Sequence, residues 1–389
     1  MANMPYRVVR KALLVFSMPF TMLLYLLVRV LLRRRSIRIT LMDPRYLGHL
    51  SLEPEVFWND LRCAVEHGSR DIWLCSLGKR SEAINPSLWD LRSQQLPTVP
   101  SYLVSALVEL QKLVRTSAIS LERASIHRLN ALAHRPTSLP TTEPMRDRRK
   151  EILSRLPIPN RPYAIFTVRE VTASPDLRNR EIREFVPAMA ALIDRGYNVI
   201  RLTSRTEDLI QQPQLGVLDW QVLVDGQPGD ELALVSGASF VVSTTTGIDC
   251  LALAYRIPVL YIDTARLYFV FLGTEFATFQ MPRLIDHETG MVLSFTEILK
   301  RGLGLARHSD SFTAGNTRVL NSTPFEIEQY VLEYVNLGLA SHRIHSDESQ
   351  NLWRESLLEF HRAEIAARHG AIEAQMLPSC LPLLSTKGG

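Results

Sequence analysis

Three sets of residues in this chain have types and spacing suited to chemistry. The first is Ser243-Thr244-Thr245-Thr246-Gly247, set between an apolar run, Ser239 to Val242, and a helical pattern from Ile248 to Tyr255. Such a turn puts backbone N–H groups and hydroxyls at a helix N-terminus, where the helix dipole favours an anion, and phosphate is the natural one. The plainer account is that Ser and Thr cap the helix. The second set is Arg169 and Arg201, each at the C-terminal end of an apolar strand pattern, Tyr163 to Val168 and Tyr197 to Leu202. A guanidinium fork binds phosphate oxygens bidentately, although exposed arginines also form weak surface ion pairs. The third set is titratable. His49 follows Gly48 in a loop after a strand pattern, and an imidazole titrates near neutrality, as a general base should. Its alternative is a histidine that packs the loop. Glu170 is a second candidate base and reads equally as the ion-pair partner of Arg169; Asp176 is a third.

These residues need elements to hold them, and the pattern supplies an alternation of strands and helices. Ile37 to Leu41 alternates as a strand, Glu53 to Gly68 has helical spacing, and Asp71 to Cys75 is a second strand. Further helical material follows at Asn85 to Leu91 and Tyr102 to Leu113. Residues 134–162 hold six prolines among many charges, the composition of a linker. Beyond it come the strand at Tyr163, an amphipathic helix from Glu181 to Asp194 closed by Gly196, the strand at Tyr197, a short strand at Val217, and the strand–helix–strand unit from Ala238 to Asp263. The expected organisation is a hydrophobic segment at 1–35, an N-terminal Rossmann-like domain at 36–133, the linker at 134–162, a C-terminal Rossmann-like domain at 163–340, and a helix and tail at 341–389. Ligands of such sheets bind at the carboxyl ends of the strands, where Arg169, Arg201 and the Ser243–Gly247 turn all fall.

Composition narrows the function classes. With 389 residues, 46% hydrophobic and 22% charged, the chain is globular and long enough for two domains. A net charge of +4 with local basic clusters does not describe a nucleic-acid-binding protein. Cys63, Cys75, Cys250 and Cys380 are scattered without metal-ligand spacing, so a reducing compartment fits and a structural zinc does not. Residues 12–32 are the most hydrophobic stretch, flanked by Arg7, Arg10 and Lys11 before and Arg33 to Arg35 after, and interrupted by Pro19 and Arg29. The expectation is membrane association, either as one span of about 20 residues or as an interfacial helix whose arginines grip anionic headgroups.

Val168-Arg169-Glu170, Arg178-Asn179-Arg180-Glu181-Ile182, Gly196 to Arg201 and Thr244 to Gly247 resemble the motifs of a family of bacterial glycosyltransferases. Gly48-His49-Leu50 with Glu53-Pro54-Glu55, and Asn321 to Ile327, extend the likeness over residues 37–340. The chain is also similar, more distantly, to fucosyltransferase-like enzymes, in which a His-x-Arg motif ends the first strand of the donor domain. Here Thr167 stands where that histidine would be. Threonine can donate a hydrogen bond but cannot act as a base near neutral pH.

The resemblance implies a GT-B architecture, two Rossmann-like domains facing a cleft, and sugar transfer from a nucleotide-diphosphate donor to a glycan or lipid-linked acceptor in surface polysaccharide or glycolipid synthesis. It assigns Arg169, then Arg201, to the leaving diphosphate, and Ser243, Thr244, Thr245, Thr246 and Gly247 to phosphate or ribose. His49 and Glu170 become the candidate bases. No Asp-x-Asp pair occurs, so transfer is expected without a metal, and no cofactor is needed beyond the donor itself. The expected location is the cytoplasmic face of the inner membrane. A nucleotide-sugar epimerase on the same fold and a non-catalytic nucleotide-binding or scaffold protein are the alternatives, the latter favoured by Thr167.

Overall fold

The computed structural model describes residues 36–114, 119–123, 139–156, 158–159, 161–169, 176–202, 217–220, 226–227, 229–265, 276–306 and 309–336, together with Pro19 and Leu23. The chain divides into two compact units, Met1–Ser125 and Ile126–Gly389. Both are α/β units built on a parallel sheet. The hydrophobic stretch 12–32 lies outside the described residues apart from Pro19 and Leu23, as does the expected tail helix at 341–389. Among the described residues, no helix is long and apolar enough to cross a membrane.

The first unit runs β1 (Ile37–Leu41), α1 (Leu47–Glu66), β2 (Ile72–Ser76), α2 (Pro86–Gln95), α3 (Ser101–Val114) and β3 (Ile119–Arg123). Its strands lie in the order β2-β1-β3, with Ile39 opposite both Leu74 and Leu121. The central strand therefore changes side after its first crossover, a topological switch point. Helix α1 begins at Leu47, ahead of the Glu53 start that the sequence suggests. Pro54 reads as a first helical position, yet the helix runs through it. Burial explains why: Leu50, Leu52, Val56 and Phe57 are all buried, and Ser51 Oγ donates to the Leu47 carbonyl at 2.7 Å within that early turn. Arg92 of α2 forms a buried ion pair with Glu55 at 2.9 Å and donates to the Ser51 carbonyl, which clamps the two helices together.

The second unit starts with α4 (Glu143–Leu153), inside the stretch whose prolines suggested a linker. Those prolines fall at the margins, and Pro144 occupies the first turn, where the missing N–H is harmless. Arg148 Nε donates to Asp230 Oδ1 at 2.7 Å, and the Leu139 amide donates to the Ala254 carbonyl at 2.8 Å, so this segment belongs to the folded unit. There follow β4 (Tyr163–Thr167), α5 (Val186–Asp194), β5 (Asn198–Arg201), β6 (Val217–Asp219), α6 (Asp230–Val235), β7 (Phe240–Ser243), α7 (Gly247–Ala254), β8 (Val259–Tyr261) and β9 (Ala277–Phe279). The described residues end with an antiparallel pair, β10 (Arg283–Asp286) and β11 (Thr317–Leu320), and α8 (Pro324–Asn336).

All six strands of the main sheet are parallel, in the order β6-β5-β4-β7-β8-β9. Strands β4, β5 and β7 are buried at every position, the signature of a sheet covered on both faces. Phe166, Phe185, Met189, Leu192, Phe240, Val242, Ile327 and Val331 belong to one apolar cluster, which ties α5 and α8 to the sheet. The order reverses between β4 and β7. In such sheets, that crevice beyond the carboxyl ends is where ligands bind.

Candidate functional site

Four of the resemblance motifs, at Val168–Arg169, Arg178–Ile182, Thr244–Gly247 and Asn321–Ile327, are joined at the switch point of the second unit. The Arg169 amide donates to Thr244 Oγ1 at 2.8 Å, which ties the end of β4 to the turn after β7. The Arg180 amide donates to the Arg169 carbonyl at 2.8 Å, and Arg169 bridges to Asn179, so the 178–180 segment lies alongside. Arg180 reaches onward. Its Nη2 donates to the Ser322 carbonyl at 2.8 Å, its Nε to Glu184 at 2.7 Å, and its Nη1 pairs with the buried Asp263 carboxylate. Asp263 in turn accepts from the Ser322 hydroxyl at 2.7 Å and the Ser322 amide. Two distant motifs, Arg178 to Ile182 and Asn321 to Ile327, are thus one buried ionic network that fixes the crevice wall. Asp263 closes the Ala238–Asp263 unit but is not among the candidate site residues; its place directly after an apolar strand pattern is the signal that points to it.

The Thr244, Thr245 and Thr246 amides of the Ser243–Gly247 turn are already engaged, which corrects the expectation that they stand free for a phosphate. Thr246 is the N-cap of α7 and forms a capping box with Asp249. The Thr246 amide donates to Asp249 Oδ2 at 2.7 Å, the Thr245 amide to Ser243 Oγ at 3.0 Å, the Ile248 amide to Thr246 Oγ1 at 3.2 Å, and the Thr244 amide to the Thr167 carbonyl at 3.3 Å. The anion at this helix start is the chain's own Asp249, fully buried, and burial pushes its pKa up to about 6. Thr167 Oγ1 shares a hydrogen bond of 3.0 Å with Thr246 Oγ1. The turn still carries strain, because Thr245 has a φ of 68°. A β-branched residue adopts that left-handed conformation at a cost of about 1–3 kcal/mol.

The two arginines part company. Arg201 is 1% exposed, and its Nη1 pairs with Asp219 Oδ1 at 3.2 Å across β5 and β6. The expectation that it reaches a phosphate is corrected accordingly: its charge is spent inside the sheet, one strand away from the switch point. Arg169 sits at the switch point with its side chain 40% exposed. Its nearest described carboxylate, Asp176, lies 3.8 Å from Nε and is already held by Arg178 at 2.7 Å. Partial burial and the neighbouring Arg178 charge push the Arg169 pKa down, so among the described residues its cation is poorly compensated. A guanidinium in that state attracts an anion. Glu170, the candidate base beside it, lies outside the described residues.

His49 lies in the first turn of α1, not in a loop, after the central strand of the first unit. Its Nδ1 is 2.6 Å from Glu53 Oε1, one helical turn along the chain. The imidazole is 42% exposed and the carboxylate 3%. Glu53 Oε2 also accepts from the Asp43 amide at 3.1 Å. The hydrogen bond that His49 donates to Glu53 raises the His49 pKa against the opposing effect of burial, and the nearby Asp43 charge adds to it. Burial raises Glu53 as well, countered by the imidazole. The i, i+4 spacing was the sequence signal for this pair, legible only once the helix is known to begin at Leu47.

No family model matches the sequence, and no curated protein matches it. Several solved structures resemble it distantly. ADP-heptose LPS heptosyltransferase II of E. coli is 17% identical with a TM-score of 0.43, covering 78% of this chain and 98% of that one. The iron-containing dodecameric glycosyltransferase TibC from enterotoxigenic E. coli is 15% identical with a TM-score of 0.41, over 79% and 77%. A family 9 glycosyl transferase from Veillonella parvula is 9% identical with a TM-score of 0.42, over 77% and 98%. Values this low assign no activity to this chain.

Proposed function

We propose that the protein is a glycosyltransferase, moving a sugar from a nucleoside-diphosphate donor to an acceptor hydroxyl in surface polysaccharide or glycolipid synthesis. One observation carries the reading: the under-compensated Arg169 guanidinium stands at the switch point of a doubly wound parallel sheet, beside a strained, hydroxyl-lined turn. The resemblance in the motifs around it supplies the reaction class. In this reading, the donor diphosphate rests on Arg169 and the hydroxyls of Thr244 to Thr246, and Arg201 braces the sheet.

The chemistry is a displacement at the anomeric carbon. The acceptor oxygen forms the new bond as the bond to the diphosphate oxygen breaks and its electron pair leaves with the diphosphate. Arg169 stabilises the charge that grows there, the kind of contact that counts most in such steps. His49 takes the proton from the acceptor hydroxyl. A GT-B plan, hexosyl- or fucosyl-type transfer without a metal, a glycan or lipid-linked acceptor, and attachment to the cytoplasmic face of the inner membrane through residues 12–32 belong to the same proposal. They rest on the resemblance, the missing Asp-x-Asp pair and the hydrophobic N-terminus.

The test is a thermal-shift screen of the full chain against nucleoside diphosphates. A ligand at 100 times its Kd adds about 2.7 kcal/mol of stability. One diphosphate should stabilise the protein. Arg169→Ala should raise its Kd roughly 10- to 100-fold, the worth of a charge-assisted hydrogen bond. No stabilisation by any diphosphate would refute the donor site. Binding without sugar transfer would favour the scaffold alternative.

A further inference from the structure

We infer that Glu53 is a positioning residue for His49, holding the imidazole with Nδ1–H turned inward to the carboxylate and Nε2 outward as the proton acceptor for the acceptor hydroxyl. The inference rests on the transferase reading above and deepens it. Its ground is geometric: a buried carboxylate 2.6 Å from one ring nitrogen of a half-exposed histidine, on adjacent turns of one helix. A carboxylate accepts only, so it selects the tautomer that carries hydrogen on Nδ1. The other nitrogen then has its lone pair available, as a general base requires.

The carboxylate is itself fixed from a second element. Its Oε2 accepts the Asp43 amide at 3.1 Å, in the loop after β1. That loop also presents the other groups that face the imidazole. Asp43 is held well below the ordinary carboxylate range, at about 2, chiefly by its hydrogen bond to Arg45. Arg45 clamps it at 2.6 Å, and the Tyr46 ring lies 5.4 Å from the imidazole, centroid to centroid. Glu53 is therefore the carboxylate that touches the ring, and Asp43, paired with Arg45, acts on it only through its charge.

During transfer the acceptor O–H bond breaks, its proton moves to Nε2, and the oxygen forms the bond to the anomeric carbon as the diphosphate departs. The imidazolium that results carries both hydrogens, and Glu53 faces its positive charge directly. His49 is active as a base only when neutral. Because the pair raises its pKa, transfer should increase with pH through that raised value, and removing the carboxylate should move this limb to lower pH.

The test uses the full chain with ¹⁵N-labelled histidine, His49 being assigned among ten histidines by its loss in His49→Gln. In the unaltered protein, the ring nitrogen shifts should report the Nδ1–H tautomer, with a titration above that of an ordinary histidine. In Glu53→Gln, the titration should fall and the acidic limb of kcat should fall with it. The rate itself should drop, by up to about 10⁴-fold where a wrong tautomer results, with KM for the donor unchanged. An Nε2–H tautomer in the unaltered protein overturns the inference and needs no variant, so a misfolded Glu53→Gln does not protect it. A limb that stays in place while the His49 titration moves overturns it too. A correctly paired His49 in a protein that binds no nucleoside diphosphate instead refutes the transferase reading, leaving the pairing confirmed.

Discussion

Asp249 offers a direct contest between burial and the helix N-terminus. Its Oδ2 takes the Ser243 hydroxyl at 2.8 Å and the Thr246 amide at 2.7 Å, contacts that favour the ionised form. The dipole of α7 adds about 0.3–1 kcal/mol in the same direction. Burial opposes them and wins, moving the pKa from 3.8 to about 6. A carboxyl with a raised folded-state pKa binds its proton more tightly folded than unfolded. Its contribution is therefore fully favourable below pH 3.8, and stability falls as pH rises towards and through 6. Each pH unit of that shift is worth about 1.4 kcal/mol, so the whole fall is about 3 kcal/mol. Asp249→Asn removes the charge and keeps one oxygen for Ser243 and Thr246. Its NH2 takes the place of Oδ1, a buried atom with no hydrogen-bond partner, and the unpaired donor costs about 1 kcal/mol. The variant should match or trail the parent by about that amount at pH 4, and exceed it by about 1–2 kcal/mol at pH 7.5. Chemical denaturation of both proteins at the two pH values measures the difference, and the change between them is the informative quantity. A parent that gains on the variant as pH rises would refute the reasoning. It would mean that the turn stabilises the Asp249 anion more than burial penalises it.

Three further outcomes follow from the same contacts. Arg180→Met strands the buried Asp263 carboxylate and should cost about 3–5 kcal/mol, measured by denaturation. Arg201→Gln should destabilise the second unit in the same assay while leaving nucleoside-diphosphate affinity intact, the converse of Arg169→Ala; weakened binding at unchanged stability would return Arg201 to the site. Thr167→Val removes one hydrogen bond. It should lose about 1 kcal/mol of stability in the same denaturation assay without altering that affinity.

What the sequence discloses here depends on how local the cause is. Strands β4, β5 and β7 are legible as apolar runs because both faces of their sheet are covered, a property written into each strand alone. The cap at Thr246 is legible for the same reason, since its partner Asp249 is three residues away. The start of α1 is not. Pro54 is a local stop signal that tertiary burial of Leu50 and Leu52 overrides. Helix α4 is hidden by its proline-rich margins, and its anchor, Asp230, lies 82 residues on. Arg169 and Arg201 look alike in sequence because each ends a strand. Their difference is set by Asp219, which turns one guanidinium inward, and by the strand order, which puts only β4 beside β7.

The strand order also settles what Thr167 does. It is the last residue of β4 and pairs in register with Ser243, the last of β7, so it lies inside the switch point. It is 3% exposed, and its hydroxyl is engaged by the Thr246 cap. A side chain so enclosed braces the turn, whereas Arg169, two residues on, has passed the sheet edge. A histidine in this position would have to displace the cap or turn outward into the crevice. Threonine in this position instead joins the end of β4 to the cap of α7. In the transferase reading, the catalytic burden then falls on Arg169 for the departing charge and His49 for the proton. The pH profile of transfer should carry the His49 titration.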